Sequence, residues 1–369
     1  MRKDTPVCEF DVRTMDDKRV AVEVITVFDE KRMPLEMQFE PNIAHYIVRR
    51  LAPVIYGYLG YSVLLDGEPL AASLENVIDY TGGLSLIDDF WMMRKGDSTK
   101  SWAGCNLFDN EISGAVSDIA FSGEGTCEIS GFVRSPEFTT DGMVDKAWRR
   151  IGGKTYLYKA GLSWKGPYGT EQFAEFYAEQ IAERLHLKYV KYTLDVWMDK
   201  LCSVCELFTS ERLSYVAAER LSLDISSFIQ SLDRGSSIYQ DLADTILFDA
   251  LALNMRHLGN FGFIQDNDTM EIVGLSPIFD NGMALFGDVP NRELSNPGYE
   301  SVYFFLSNRK YHRAEPEEIK ALLTDRQRKL AKEMIKFKFK RHSDYNLKEE
   351  RLKMLESIIQ NRAKFLSDP

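Results

Sequence analysis

The sequence predicts an α+β protein in two lobes, the first rich in strands and the second helical, with a small module in front of them. Three observations carry this expectation. Short runs in the first half alternate apolar and polar residues, the period-two pattern of half-buried strands. From about residue 206 the apolar spacing changes to that of helices, most densely over residues 238–253. At 369 residues the chain is long for one core and suits two lobes plus an appendage. On these grounds residues 1–80 are read as the N-terminal module, 81–205 as the strand-rich lobe and 206–369 as the helical lobe.

In the module, residues 8–12 and 19–28 read as strands. Residues 42–58 read as a helix interrupted at Pro53, whose ring removes a backbone donor. Thr81-Gly82-Gly83 makes a break. In the strand-rich lobe, Phe132-Val133-Arg134 ends at Ser135-Pro136, and a polar loop with Gly142 follows. Residues 146–150 and 155–160 look like paired strands turning at Gly152-Gly153. The loop 164–169 leads into a helix with Thr170 as N-cap and Glu171 in the first turn. Phe173, Phe176, Tyr177, Ile181 and Leu185 form its apolar stripe. Residues 189–196 then alternate as a strand. In the second lobe, the helix 238–253 is apolar enough to be buried. A short loop with Asn260 follows, then a hairpin turning at Asp266-Asn267-Asp268. Next come Phe279-Asp280-Asn281-Gly282 and an aromatic loop at 299–305. Pro316 stands at a favoured first helical position, and two or three amphipathic helices reach Phe365.

Composition is that of a globular protein, 44% hydrophobic and 27% charged. The formal net charge of −11 disfavours nucleic acid as a direct partner. The opening Met1-Arg2-Lys3-Asp4-Thr5-Pro6 leads into no long apolar run. The most apolar early segment, 43–65, is broken by Arg49, Arg50 and Pro53. Neither a secretory signal nor a membrane span is expected, which points to the cytoplasm. The five cysteines, Cys8, Cys105, Cys127, Cys202 and Cys205, are odd in number and scattered, against a disulfide framework. Cys202 and Cys205 form a lone CxxC. Idle thiols are the plainer account of it, since a zinc site needs further ligands at suitable spacing.

Four features suit phosphoryl transfer, which asks for held phosphates, a bound cation and an acceptor hydroxyl placed in line. Lys159 stands on a strand before a helix, where an ammonium reaches phosphates; an exposed strand lysine is the bland alternative. Glu171, Glu175, Glu179 and Glu183 recur every four residues near one helix face, so one can pair with Lys159 while the rest meet solvent. The loop 135–142, with Ser135, Thr139, Thr140 and Gly142, offers amides and hydroxyls to phosphates, though an ordinary hairpin loop fits its pattern equally. Asn260 and Asp280, joined by the hairpin, supply one amide and one carboxylate, the donors of a magnesium site that bridges to ATP phosphates. His257 fits two roles, a hydrogen bond to the loop backbone or a part in the chemistry.

Together these segments resemble the HipA-like kinases, in particular a branch of bacterial and phage genomes. The likeness covers roughly residues 80–310 and extends to the N-terminal module. It is carried by residues 84–91 and 135–142, the Lys159 strand, Glu171 to Glu175, residues 249–262 and Ser276-Pro277-Ile278-Phe279-Asp280. The resemblance implies a bilobal, protein-kinase-like serine/threonine kinase that uses ATP and Mg2+ and acts on a protein substrate. Many members are toxins beside a DNA-binding antitoxin, so an antitoxin or regulatory protein partner is implied. It makes Lys159 the ATP lysine, Glu175 its helix partner, 135–142 the phosphate loop, and Asn260 and Asp280 the metal ligands. One departure matters. The family reads Asn-x-Asp-Arg-His-x-x-Asn, whereas this chain reads Asn254-Met255-Arg256-His257-Leu258-Gly259-Asn260. The catalytic aspartate expected between Met255 and Arg256 is absent, and methionine accepts no proton. An inactive variant that binds nucleotide or a partner without transfer is the alternative this departure raises.

Overall fold

The computed structural model describes residues 1–14, 20–39, 41–142, 144–161, 170–221, 225–254, 256–286 and 316–368. The predicted loops 164–169 and 299–305, and Met255, lie outside the described residues. By its internal contacts the chain divides into two units. One comprises Met1–Tyr158, Leu207–Val216 and Gln265–Ile272; the other comprises Lys159–Glu206, Ala217–Ile264 and Val273–Pro369.

In the first unit, β1 (Cys8–Thr14) and β2 (Val20–Val27) pair antiparallel, Cys8 opposite Val27, with a bulge between Glu9 and Phe10. The helix α1 (Ile43–Tyr56) starts at Asn42, whose side chain accepts from the His45 amide at 3.0 Å. Pro53 lies inside α1 and does not interrupt it, contrary to expectation. The apolar face of Ile47, Leu51 and Val54 is buried across the proline, and that burial outweighs one lost hydrogen bond. The chain leaves the helix at Gly57, where a Cβ would lie 2.1 Å from the Pro53 carbonyl oxygen, and α2 (Tyr58–Ser62) follows. The strand β3 (Val63–Leu65) pairs antiparallel with β4 (Glu68–Pro69) and parallel with β5 (Cys127–Ile129). Three short helices, α3 (Leu74–Thr81), α4 (Trp102–Cys105) and α5 (Gly114–Ser122), lie between β4 and β5 in the sequence. All three escaped the sequence reading because they are too short to show a clear period. β6 (Lys146–Ile151) turns into β7 (Lys154–Ala160) at Gly152 and Gly153, both left-handed at φ 59° and 79°, as the hairpin requires.

The second unit holds α6 (Glu171–Arg184), with Thr170 at its N-cap. The hairpin of β8 (Tyr192–Trp197) and β9 (Lys200–Glu206) sets Tyr192 opposite Cys205. The strand begins three residues later than predicted, because Tyr189 makes only an isolated bridge to Ile278. A three-stranded sheet takes the order β10 (Leu213–Ala217), β11 (Gly262–Asp266), β12 (Ile272–Leu275). After α7 (Ile225–Ser231) comes α8 (Ser237–Ala252), capped by Ser236. Leu242, Ile246, Leu247, Phe248 and Leu251 on α8 are all within 1% of full burial, so this helix is buried, as predicted. The helices α9 (Pro316–Leu322), α10 (Asp325–Glu333) and α11 (Glu349–Ser367) close the chain. The fold is mixed α+β. No helix among the described residues is long and apolar enough to cross a membrane.

Candidate active site

Lys159 is the penultimate residue of β7, and its side chain is only 11% exposed. Burying an ammonium is costly unless it is paired. Here it is paired twice: Nζ donates to Glu175 Oε1 on α6 and to Asp280 Oδ1, the latter at 2.5 Å. Its amine also lies 5.9 Å from the centre of the Tyr192 ring. Burial opposes the Lys159 charge, but Asp280 and Glu175 outweigh it and push its pKa above the ordinary lysine value. The ammonium is thus fixed in its charged form.

Glu175 is almost fully enclosed, and its second oxygen accepts from the Ser203 hydroxyl on β9. The rest of the glutamate stripe does not all meet solvent, as its spacing had suggested: Glu179 is buried, because this helix is enclosed on more than one face. Glu179 accepts the Tyr192 amide at 2.9 Å, and Glu183 forms an exposed pair with Lys340. Of the four, Glu175 is the one bonded to Lys159.

Asp280 follows β12 with a left-handed backbone, φ 53°, a conformation costly for a residue with a Cβ. The Tyr192 hydroxyl accepts its amide at 2.9 Å and holds that turn. The carboxylate then faces two ways, Oδ1 toward Lys159 and Oδ2 toward the Asn260 side-chain nitrogen at 2.6 Å. Asn260 ends a single turn, Leu258–Asn260, that His257 starts: His257 Nδ1 accepts the Gly259 amide at 3.1 Å. A Cβ at Gly259 would fall 2.7 Å from the His257 ring, so glycine is what lets the ring fold over the turn. His257 therefore occupies the backbone-bonding position foreseen as one of its two roles.

Behind this turn lies a network that the sequence reading missed. Arg256 bonds Asp249 of α8 through Nε and Nη2, and Nη2 also reaches Asn281 Oδ1 at 2.9 Å. Its Nη1 donates to the carbonyls of Asn260 at 3.0 Å and Phe279 at 2.8 Å. Asn254 adds bonds to Asp249 and Asn281. The backbone on which Asn260 and Asp280 stand is thereby tied to one buried guanidinium. Arg256 and Asn281 sat inside stretches already singled out, but their neighbours drew the attention. Ser203, a lone hydroxyl between Cys202 and Val204 on a buried strand, was the readable signal for the Glu175 contact.

A carboxylate and an amide, one of them 39% exposed, suit a hard cation that completes its shell with water and phosphate oxygens. Turning the Asn260 amide by half a rotation presents its oxygen to the same place. Among the described residues no group of three or more His, Cys, Asp or Glu stands ready to hold a metal alone. Magnesium thus fits the donor set only with ligand oxygens sharing it.

The predicted phosphate loop lies in the first unit. Its hydroxyls are engaged within that unit. Ser135 donates to Glu137 at 2.5 Å, Thr139 to the Leu84 carbonyl at 2.8 Å and Thr140 to the Pro136 carbonyl at 2.7 Å. The buried Glu137 also accepts Ser117 and the Trp148 amide, which pins the turn Pro136–Thr139 in place. At its far end Gly142 is exposed and left-handed at φ 122°, and its amide donates to Asp141 Oδ1 at 2.7 Å. As for the CxxC, Cys202 and Cys205 form no disulfide and stand three apart on one strand, so they point to opposite faces and share no ligand. Burial pushes the Cys205 thiol up to about 12, far from a reactive thiolate.

In shape the chain is similar to the Helicobacter pylori proinflammatory kinase CtkA, with a TM-score of 0.44 and 17% identity over 61% of this chain and 94% of that one. It is also similar to a chain of the Shewanella oneidensis MR-1 toxin–antitoxin complex of HipA, HipB and operator DNA. There the TM-score is 0.37 and the identity 12%, over 61% of this chain and 64% of that one. No protein-family model and no curated protein matches the chain.

Proposed function

We propose that this protein binds Mg-ATP through Lys159, Asn260 and Asp280, and that it is a HipA-like serine/threonine protein kinase whose transfer step is impaired. One observation carries the reading: a single buried ammonium bonds both the α6 glutamate and the aspartate after the hairpin, with Asn260 on that aspartate's other oxygen. Phosphoryl transfer needs that set of charges, one cation for phosphates and one amide–carboxylate pair for metal. Magnesium, when bound, would neutralise phosphate charge and orient the terminal phosphoryl group. Lys159 holds the phosphates as a point charge, and Glu175, itself steadied by Ser203, keeps that charge in place.

Transfer to a protein hydroxyl also needs a proton acceptor. The position matching the family base is Met255, which accepts no proton. Asp249 does not replace it, because Arg256 and Asn254 occupy both of its oxygens deep in the core. Loss of a general base typically costs about 10²–10⁴-fold in rate. The same locked Asp249 favours the second reading, a nucleotide-binding module that regulates a protein partner, of the antitoxin kind or another, in the cytoplasm. Calorimetry with Mg-ATP tests the shared premise: wild type binds, and Asp280→Ala loses most of its magnesium-dependent affinity. Equal affinity in the two would remove Asp280 from the metal role. A phosphate-transfer assay on the binding-competent chain then separates a slow kinase from a pure binder.

A further inference from the structure

The helix that carries Glu175 is held from behind by a segment near the C-terminus. Residues 337–346, between α10 and α11, run across the face of α6 that points away from Lys159. At about 100° per residue, Tyr177 and Gln180 lie roughly 200° and 140° round the helix from Glu175. Gln180 pairs with the backbone of Lys340 in both directions, its Nε2 donating to the carbonyl at 3.2 Å and its Oε1 accepting the amide at 2.8 Å. The Tyr177 hydroxyl donates to Asn346 Oδ1 at 2.6 Å, and Asn346 in turn closes on both the amide and the carbonyl of His342. Rings add to the grip: Phe176 meets His342 edge-on at 5.5 Å and Tyr177 meets Phe339 at 5.1 Å.

The segment is itself anchored. Glu356 of α11 accepts the Phe339 amide at 3.1 Å and Arg341 at 3.0 Å, while Gln360 donates to the Phe337 carbonyl at 2.9 Å. Glu349 takes two further bonds from Arg341. Gln180 is 6% exposed and Tyr177 fully buried, so the α6 side of these contacts is interior while Lys340 and Asn346 stand at the surface. A surface helix needs no such two-sided backbone pairing to stay folded. An amide that reads both groups of one residue fixes the helix along its axis, and the Tyr177–Asn346 bond fixes its rotation.

We propose that residues 337–346 form a strap that sets the position of α6, so that Tyr177, Gln180 and Asn346 are positioning residues for the Lys159–Glu175 pair. This rests on the proposed role of that pair, but its first test does not. In the chain without nucleotide, Gln180→Ala combined with Asn346→Ala should raise amide hydrogen exchange over residues 171–184 on the order of tenfold. The same variant should raise acylation of Lys159 by an amine-reactive ester, read by mass spectrometry, because a displaced Glu175 uncovers the amine. Tyr177→Phe keeps the ring contacts and loses one bond, so it should give the same two changes in smaller measure and serves if the double variant fails to fold. Unchanged exchange in α6 and unchanged Lys159 labelling in folded variants would overturn the strap. Where wild type binds Mg-ATP, the variants should raise the dissociation constant while leaving the helix α8 protected. A wild type that binds no Mg-ATP would sink the nucleotide reading and leave the strap to be judged on exchange and labelling alone.

Discussion

Asp249 and Arg256 form an ion pair with side chains 2% and 1% exposed, whereas Asp280, paired with Lys159, keeps 39% of its side-chain surface exposed. Both clusters join carboxylates to a cation within the same unit, and both use an asparagine as a second partner. In the first, Nε and both terminal nitrogens of the guanidinium are committed, and the acceptors include two backbone carbonyls. Nothing in it can leave without stranding a buried charge. In the second, one lysine serves two carboxylates, one of them at the edge of solvent on a left-handed backbone. The difference teaches which cluster is scaffold and which is poised to exchange partners. A ligand can take Asp280 from Lys159 at modest cost, but it cannot take Asp249 from Arg256.

The largest effect should come from lengthening the loop that joins the two clusters. Asn254 and Arg256 are both anchored on Asp249, with one residue between them where the resembling family has two. Inserting Asp between Met255 and Arg256 should keep both anchors and supply the missing base. Transfer to itself or to a co-purified protein should rise by about 10²–10⁴-fold. A transfer rate equal to that of the unmodified chain would mean that another residue already serves as base.

Next in size is the scaffold. Asp249→Ala leaves the Arg256 guanidinium buried with its carboxylate gone, and should cost about 3–5 kcal/mol of unfolding free energy in urea titrations. A loss below about 1 kcal/mol would show that the core around Arg256 admits water, and the contrast between the clusters would fail. Asp280→Asn should behave in the opposite way. Its exposed side chain makes the stability change small, within about 1 kcal/mol, while magnesium-dependent nucleotide binding falls sharply. A thermal-shift series with and without Mg-ATP reads both quantities at once, since ligand binding raises Tm by mass action.

Much of this contrast was legible before the structure, and the rest was not, for physical reasons. Lys159, Glu175, Asn260 and Asp280 stood out because their roles constrain them locally: a strand end, a helix stripe, a short turn and a hairpin exit each leave a pattern of a few residues. The structure brings those four together. The α+β class and the buried helix α8 were readable from periodicity alone. The Arg256 network was not, because it joins residues from 4 to 27 apart, partly through carbonyls that carry no sequence signature. Ser135, Thr139 and Thr140 were chosen as hydroxyls for phosphate, yet hydroxyls also satisfy their own turn, and here they do. Pro53 misled for a related reason: a local rule gave way to the apolar face that continues past it.

The smallest effect concerns a third carboxyl on α6, and it tests whether an acid can be buried there without a cation in contact. Burial raises the pKa of Glu179 from 4.5 to about 7; the Tyr192 amide opposes this, and Glu183 adds to it. Lys191 and Lys340 act on it only as nearby charges. A folded-state pKa above the unfolded one means that the native protein holds this proton more tightly. The contribution to stability is therefore whole below about pH 4.5 and is lost as pH rises through about 7. Glu179→Gln keeps an oxygen for the Tyr192 amide and removes the charge. The variant should match wild type near pH 4.5 and exceed it at pH 8, by roughly a few degrees in Tm. Other buried acids shift the wild-type curve too, so the readable quantity is the difference between the two proteins at each pH. A difference that stays constant from pH 4.5 to 8 would mean that Glu179 is ionised in the fold at little cost, with Lys191 or Lys340 close enough to pair with it. In that case α6 would carry its acids as Asp280 does, open to solvent and to exchange, and the closed network around Asp249 would be the exception in this unit.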